Sequence, residues 1–308
     1  MRVWSYLKKN KWPYLFITLF FVFYLGFHLY PQLYSIYLST QNHRGAGRPS
    51  TFVGFENFIM AVQDPVFWFS LRNTLIFWLG TLPVQMVISF IIATTMLNVI
   101  QSTRLRGLLS GFYYLPVVTN LVAVIMIFQL MYDENFGVLN YFLSILGISG
   151  VPWLRDPTIA RFSTMLLVIW RGVGYYIVLT LAGLMGIDRT LYECAKVEGA
   201  NYFQKQVYIT IPLLKPILLF QIFTGTIAGW NIFLEPFLLF SRNVGAWAHY
   251  GGPGGVGLTA AMYIYSEAFQ SMRFGYSAAM ALIVAVITTL FALLQFRVMG
   301  VRNKEGKA

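Results

Sequence analysis

The sequence predicts an all-α integral membrane protein with six transmembrane helices and both termini on the cytoplasmic side. Three observations predict it. Of the 308 residues, 57% are hydrophobic and only 11% are charged, against about 25% charged in a soluble domain. The mean hydropathy is +0.64. Six mostly apolar runs reach the roughly 20 residues that a helix needs to cross a bilayer, at about 13–38, 71–97, 108–132, 163–186, 214–240 and 275–296. Six runs of that length do not fit buried helices of a soluble domain.

The first run comes after a basic N-terminal stretch, as in a signal peptide. It continues well past the usual roughly 7–15 apolar residues and shows no small-residue cleavage pattern, so it is expected to be a retained span. In the second, Pro83 is expected to kink the helix. Between the spans lie segments rich in Gly, Pro, Trp and Tyr at about 39–70, 133–162 and 241–274. They are long enough for an extracytoplasmic cap and too short for separate domains, so residues 1–308 are expected to form one transmembrane domain. No internal repeat or low-complexity tract stands out.

Orientation is set by Lys and Arg in short loops. Arg2, Lys8, Lys9, Lys11, Arg104, Arg106, Arg189, Lys196, Lys205, Lys215, Arg297, Arg302, Lys304 and Lys307 fall on one side, 14 of the 22 basic residues, and that side is expected to be cytoplasmic. The other group is Arg44, Arg48, Arg72, Arg155, Arg161, Arg171, Arg242 and Arg273. The net charge of +11 is spread along the chain without a dense basic, aromatic-interleaved patch, so no nucleic-acid partner is expected; the lipid bilayer is. The single Cys194 excludes an internal disulfide and a multi-cysteine metal site.

The cytoplasmic segment 187–213 carries Glu193 and Glu198 among lysines, between two apolar runs. Leu191 to Glu198 contains good helix formers. Gly199 stops them and permits a positive-φ turn, Asn201 to Tyr208 can form a second helix, and Pro212 and Pro216 punctuate the entry into the fifth span. A short helix, a turn and a second helix standing off the membrane suit docking into a groove on another protein.

Glu193-Cys194-Ala195, three residues, Gly199-Ala200, and then Ile209-Thr210-Ile211-Pro212 resemble the EAA loop of binding-protein-dependent ABC importer permeases. Gly199 falls four after Ala195, Ile209 ten after Gly199 and Pro212 three after Ile209; Cys194 and Ile211 stand where the family has alanine and leucine. The resemblance covers most of the chain. Phe52-Val53-Gly54-Phe55-Glu56-Asn57-Phe58, Trp153-Leu154-Arg155-Asp156, Glu235-Pro236-Phe237, Gly251-Gly252-Pro253, Tyr263-Ile264-Tyr265 with Ala268-Phe269, and Phe274-Gly275-Tyr276-Ser277-Ala278-Ala279 are similar to segments of its carbohydrate branch, which includes maltose and glycerol-phosphate permeases. The link Ser241 to Tyr250 is longer than usual there. The resemblance implies a coupling helix between spans four and five, with Glu193, Ala195, Glu198, Gly199, Ala200 and Pro212 meeting a cytoplasmic ATPase subunit. It further implies a second, different permease subunit, two ATPase subunits and an extracytoplasmic solute-binding protein, in a prokaryotic plasma (inner) membrane.

Other motifs carry less. Gly252-Pro253-Gly254-Gly255-Val256-Gly257 matches G-x-G-x-x-G, but without the strand and helix of a dinucleotide site. No phosphate-binding loop exists in the sequence; the tail 300–308 has the wrong spacing. The chain is therefore not expected to be an enzyme or to bind a cofactor itself; ATP and magnesium would belong to the partner ATPases. His28, His43 and His249 are scattered, and neither a metal site nor a catalytic set is expected.

Ionisable groups within spans are costly and often functional. Arg171 lies well inside the fourth span and Glu235 in the outer third of the fifth; besides a substrate role, each could pair for structure with a partner chain, or the two with each other. In the fifth, Gln221, Thr224, Ala228, Asn231 and Glu235 recur at helical spacing, which would place them on one side of a helix. With Trp170, Arg171 and Trp230, the residues Gln221, Asn231 and Glu235 are candidates for a sugar path; the same stripe could instead be a seam with the partner permease. The expected function is uptake of a sugar or oligosaccharide by alternating access driven by partner ATPases. The alternative is a stand-alone ion- or proton-coupled carrier. In a Cys194-free background, cysteines at Ser50 or Ser149 are expected to react with an impermeant thiol reagent from outside the cell, and cysteines at Asn201 or Asn303 are not; the reverse pattern would invert the topology.

Overall fold

The computed structural model describes residues 11–45, 47–241 and 251–298. Arg2, Lys8, Lys9, Arg242, Arg302, Lys304 and Lys307, on which part of the orientation argument rests, lie outside them, as do His249 and most of the longer link 241–250. The described chain is almost entirely helical. Five helices are long and apolar enough to cross a membrane, and the number is six if one bent pair counts as a span. They are α1 (Trp12–Ser39), α3 (Pro65–Val99), the pair α4 and α5 (Thr103–Val118 and Leu121–Met131), α7 (Pro157–Met185), α9 (Tyr202–Trp230) and α12, which begins at Phe274. Shorter helices are α2 (Glu56–Gln63), α6 (Val138–Ile145), α8 (Arg189–Val197), α10 (Leu234–Leu239) and α11 (Ala260–Tyr265).

Two compact units emerge: the chain up to Asp64 with Ile264–Ala285, and Pro65–Tyr263 with the chain from Val286 onward. In the first unit, α1 buries none of its apolar window; its aromatic rings stack on one another, as Phe20 does on Tyr24 and Phe23 on Phe27. Pro31 interrupts no helix, because the turn before it, Tyr24–Leu29, is a π turn. The Tyr30 N–H reaches back five residues to Leu25 O, which relieves the clash a proline ring makes with the preceding turn. After α1, a two-residue antiparallel pair sets Gln41 opposite Phe52. Asn57 on α2 is buried and donates to Ser39 O and Gln41 O, both at 2.9 Å. That accounts for the asparagine in the Phe52–Phe58 segment: its amide closes the end of α1.

The second unit is built around α7, which packs against α3, α4 and α9. Apolar clusters hold both ends. Ala93, Met96, Ile177, Leu181, Leu184 and Leu214 gather toward α8; Ile125, Phe128, Tyr132, Leu167 and Phe240 belong to the cluster at the other end. The backbones of α4 and α7 come close at Gly174, where a Cβ would overlap Tyr113 O on α4.

Three expectations are corrected. The run 108–132 is not one straight span: α4 and α5 meet at 89°. Pro116 weakens the end of α4, and Asn120 Oδ1 accepts from Val122 N at 2.9 Å and Ala123 N at 3.3 Å, starting a new helix. The run 214–240 is also not one helix. α9 begins at Tyr202 and ends at Trp230, Asn231 and Phe233 leave helical geometry, and Leu234–Leu239 is separate. Pro212 and Pro216 do not punctuate it. Both lie within α9, where the π turn Gln206–Thr210 widens the backbone ahead of Pro212.

At Gly174 any side chain would separate α4 from α7. Gly174→Val is expected to cost about 1–3 kcal/mol or more and lower the yield of folded protein in mild detergent. Gly107→Ala, in open space on α4, is expected to be neutral or stabilising by up to about 1 kcal/mol; equal thermal midpoints for the two variants would contradict the crossing.

Candidate functional site

The segment after α7 is built by local hydrogen bonds. Asp188 Oδ1 accepts from Thr190 N at 3.0 Å and caps α8. Hydrogen bonds from the Thr190 backbone and hydroxyl hold its carboxyl below the usual carboxylate range. At the other end Gly199 takes φ +81°. Its N–H donates to Lys196 O at 3.1 Å, and Ala200 N donates to Ala195 O at 2.8 Å, the paired bonds of a Schellman turn. This gives Ala195, Gly199 and Ala200 a joint role: the small residues sit at the two ends of the closing bond and the glycine supplies the left-handed residue. Asn201 then starts α9 by a capping box with Gln204, and Tyr192 OH lies 3.0 Å from Thr210 Oγ1, holding α8 against α9.

α8 buries no residue. Glu193, Cys194, Lys196 and Glu198 are exposed, and Val197 is 90% exposed. This nine-residue helix buries no residue of its own; its caps and the Tyr192–Thr210 contact hold it in place. Pro212, further along α9, is exposed too.

The midspan candidates separate into two groups. Arg171 on α7 and Glu235 on α10 pair with each other at 3.6 Å, with side chains 29% and 14% exposed. Trp170 is half-exposed, its ring 5.3 Å from Phe128. Asn231 is exposed and donates to Ile227 O at 2.7 Å, closing the end of α9. The expected stripe does not hold together. Gln221 is fully buried, donating to Thr180 Oγ1 at 2.9 Å and Tyr176 O at 3.2 Å on α7. Trp230 is buried with its ring 5.4 Å from Phe291. Glu235 lies beyond the break at Asn231, so helical spacing no longer governs it. The glycine run at 252–257 holds a short 3-10 turn, Pro253–Gly255, and Gly257 N donates to Gly251 O at 2.7 Å; it is a closed loop, not a nucleotide fingerprint.

Sequence reasoning missed the buried amides that hold the broken helices. Gln129 donates to Leu238 O at 2.6 Å and Leu239 O at 3.2 Å. Asn73 donates to Gly255 O and Leu258 O at 2.9 and 3.1 Å. Gln85 donates to Val168 O at 2.9 Å. The available signal was an amide side chain inside an apolar run.

The family of binding-protein-dependent transport system inner membrane components matches residues 85–298. The chain belongs to that family. This inner membrane component is 34% identical over 294 residues to a lactose transport system permease protein of Rhizobium radiobacter, covering 94% of each chain. It is 29% identical to an arabinooligosaccharides transport system permease protein of Bacillus subtilis, covering 97% of this chain and 92% of that one. In fold it is similar to a chain of a bacterial alginate ABC transporter solved in complex with a periplasmic protein, with a TM-score of 0.80, 23% identity and 96% of each chain covered. Family membership makes the chain a multi-pass permease subunit rather than a stand-alone carrier.

In this permease the Arg171–Glu235 pair is tested by a double-mutant cycle. Arg171→Gln and Glu235→Gln each leave a charge without its partner in a half-buried site. Each is expected to lower the thermal midpoint of the purified protein, and the double variant by less than the sum, with a coupling of about 1 kcal/mol. Additive losses would mean the two side chains do not interact.

Proposed function

We propose that this permease is one transmembrane half of an ATP-driven importer for a sugar or oligosaccharide. The observation that carries the substrate class is full-length similarity to permeases named for lactose and for arabinooligosaccharides. Its partners would be a second, different permease subunit, two cytoplasmic ATPase subunits that bind ATP and magnesium, and an extracytoplasmic solute-binding protein. Both termini and α8 would face the cytoplasm.

α8 is read as the coupling helix. Its exposed face supports this, with Glu193 and Glu198 offered to a basic cleft and Gly199 turning the chain back toward α9. Closure of the ATPase dimer would push on α8 at Glu193, Ala195, Glu198, Gly199 and Ala200. Tyr192 and Thr210 link that push to α9, with Pro212 just beyond, and α9 continues into the bundle. The spans would then expose the path alternately to the two sides.

Within the bundle the sugar path is assigned to Trp170, Arg171, Asn231 and Glu235. Amide, guanidinium and carboxylate groups can bond sugar hydroxyls, and Trp170 offers a ring to an apolar sugar face. Glu235 already counters the charge of Arg171, which favours hydroxyls of a neutral sugar over a free sugar carboxylate. Gln221 and Trp230 are assigned to packing.

Glu193→Arg places a like charge against a basic cleft, which costs several kcal/mol, and Gly199→Val forces a β-branched residue to positive φ. Each is expected to leave the protein in the membrane while lowering binding-protein-stimulated ATP hydrolysis and sugar uptake roughly tenfold or more. Asn231→Leu is expected to lower uptake with basal ATP hydrolysis near normal. Wild-type uptake and stimulated hydrolysis in both α8 variants would overturn the coupling assignment.

A further inference from the structure

A cavity of about 1110 Å³ opens between the ends of α3, α4 and α7 and the segment carrying α8 and the start of α9. Four cations line it: Arg106, Arg189, Lys196 and Lys205, with one carboxylate, Glu193. None of the four cations takes part in an ion pair among the described residues. Arg106 is only 7% exposed. One of its terminal nitrogens donates to Gln101 O at 3.2 Å, while its Nε has no partner. Arg106 is thus a buried guanidinium without an ion-pair partner, set in the lining of a cavity that carries three further cations; buried charges are ordinarily paired, and an anion in this cavity would pair it.

The rest of the lining names the occupant. Leu97, Ile100, Leu184 and Ile187 form an apolar wall of the same cavity, where three membrane-length helices begin or end. Tyr192 and Tyr202 belong to the same lining, as aromatic residues do at a membrane interface. A soluble anion needs no apolar wall; a phospholipid brings a phosphodiester and acyl chains together, and basic pockets between helices at the cytoplasmic face recognise such headgroups.

We propose that this cavity is a phosphate-binding site filled by the headgroup of an anionic phospholipid of the cytoplasmic leaflet, with Arg106 as its buried anchor and Lys196 and Lys205 as outer contacts. The inference rests on the cytoplasmic placement of α8. Because Glu193 and Lys196 share this wall with the coupling helix, the lipid would set the angle at which α8 is presented to a partner.

The test uses the assembled importer, purified in mild detergent and exposed to phosphatidylcholine with phosphatidylglycerol, with bound lipid read by native mass spectrometry. Wild type is expected to retain phosphatidylglycerol. Arg106→Gln is expected to reduce that retention about tenfold, the effect of losing one charged hydrogen-bonding partner. Arg106→Lys should keep most of it, and Arg155→Gln, in the exposed pair with Glu134, should match wild type. If Arg106→Gln does not assemble, the double change Lys196→Gln with Lys205→Gln serves in its place. A second arm adds inorganic phosphate. Phosphate binding that requires Arg106, with no phosphatidylglycerol retained, overturns the lipid as occupant. Retention equal to wild type in the Arg106 or the double-lysine variant overturns the site. Lipid retention is measured without transport, so a failed coupling assignment, seen in the Glu193→Arg variant, is distinguishable from a failed lipid site.

Discussion

Every break in a membrane helix frees backbone carbonyls and amides that lipid cannot satisfy, and this permease meets that constraint with amide side chains. α10 exists as a separate turn beside α7 because Gln129 takes the carbonyls of Leu238 and Leu239. Asn73 does the same for Gly255 and Leu258, while its Oδ1 accepts from Arg161 at 3.1 Å. The Thr259 hydroxyl donates to Ile232 O at 2.7 Å, and Thr74 accepts from Ala260 N at 2.9 Å. Glu235 reaches Arg171 only because α10 is held where it is. The polar chemistry in the middle of the bundle therefore depends on uncharged amides several residues away.

The segment around α8 obeys a different logic. It has no core of its own, and its shape is fixed by Asp188, Gly199 and the Asn201–Gln204 box. Local caps make its form independent of how the bundle moves, while the Tyr192–Thr210 contact ties its position to α9. The shape of α8 is thus set locally, and its position by one long helix.

The sequence showed the spans because hydropathy sums over windows of membrane length. It showed the turn at Gly199 because no other residue takes that backbone cheaply. It did not show the breaks: the window that finds the run 108–132 averages over Pro116 and Asn120, and a cap by Asn120 looks the same on paper as an asparagine within a helix. The stripe from Gln221 to Glu235 failed for a related reason. Its spacing assumes one continuous helix, and Asn231 ends that helix. Gln221 was legible as a polar residue that must face protein, but whether it met a cavity or the backbone of Tyr176 depended on the packing of α7.

The π turn ahead of Pro212 shifts the phase of α9. Such a turn holds one residue more than the α-helical ladder, so every side chain after it sits at an azimuth about 100° away from where unbroken periodicity would place it. The stretch of α9 that touches α8 and the stretch beyond Pro212 are thus out of phase by one residue. A helix built this way contains its own rotational offset.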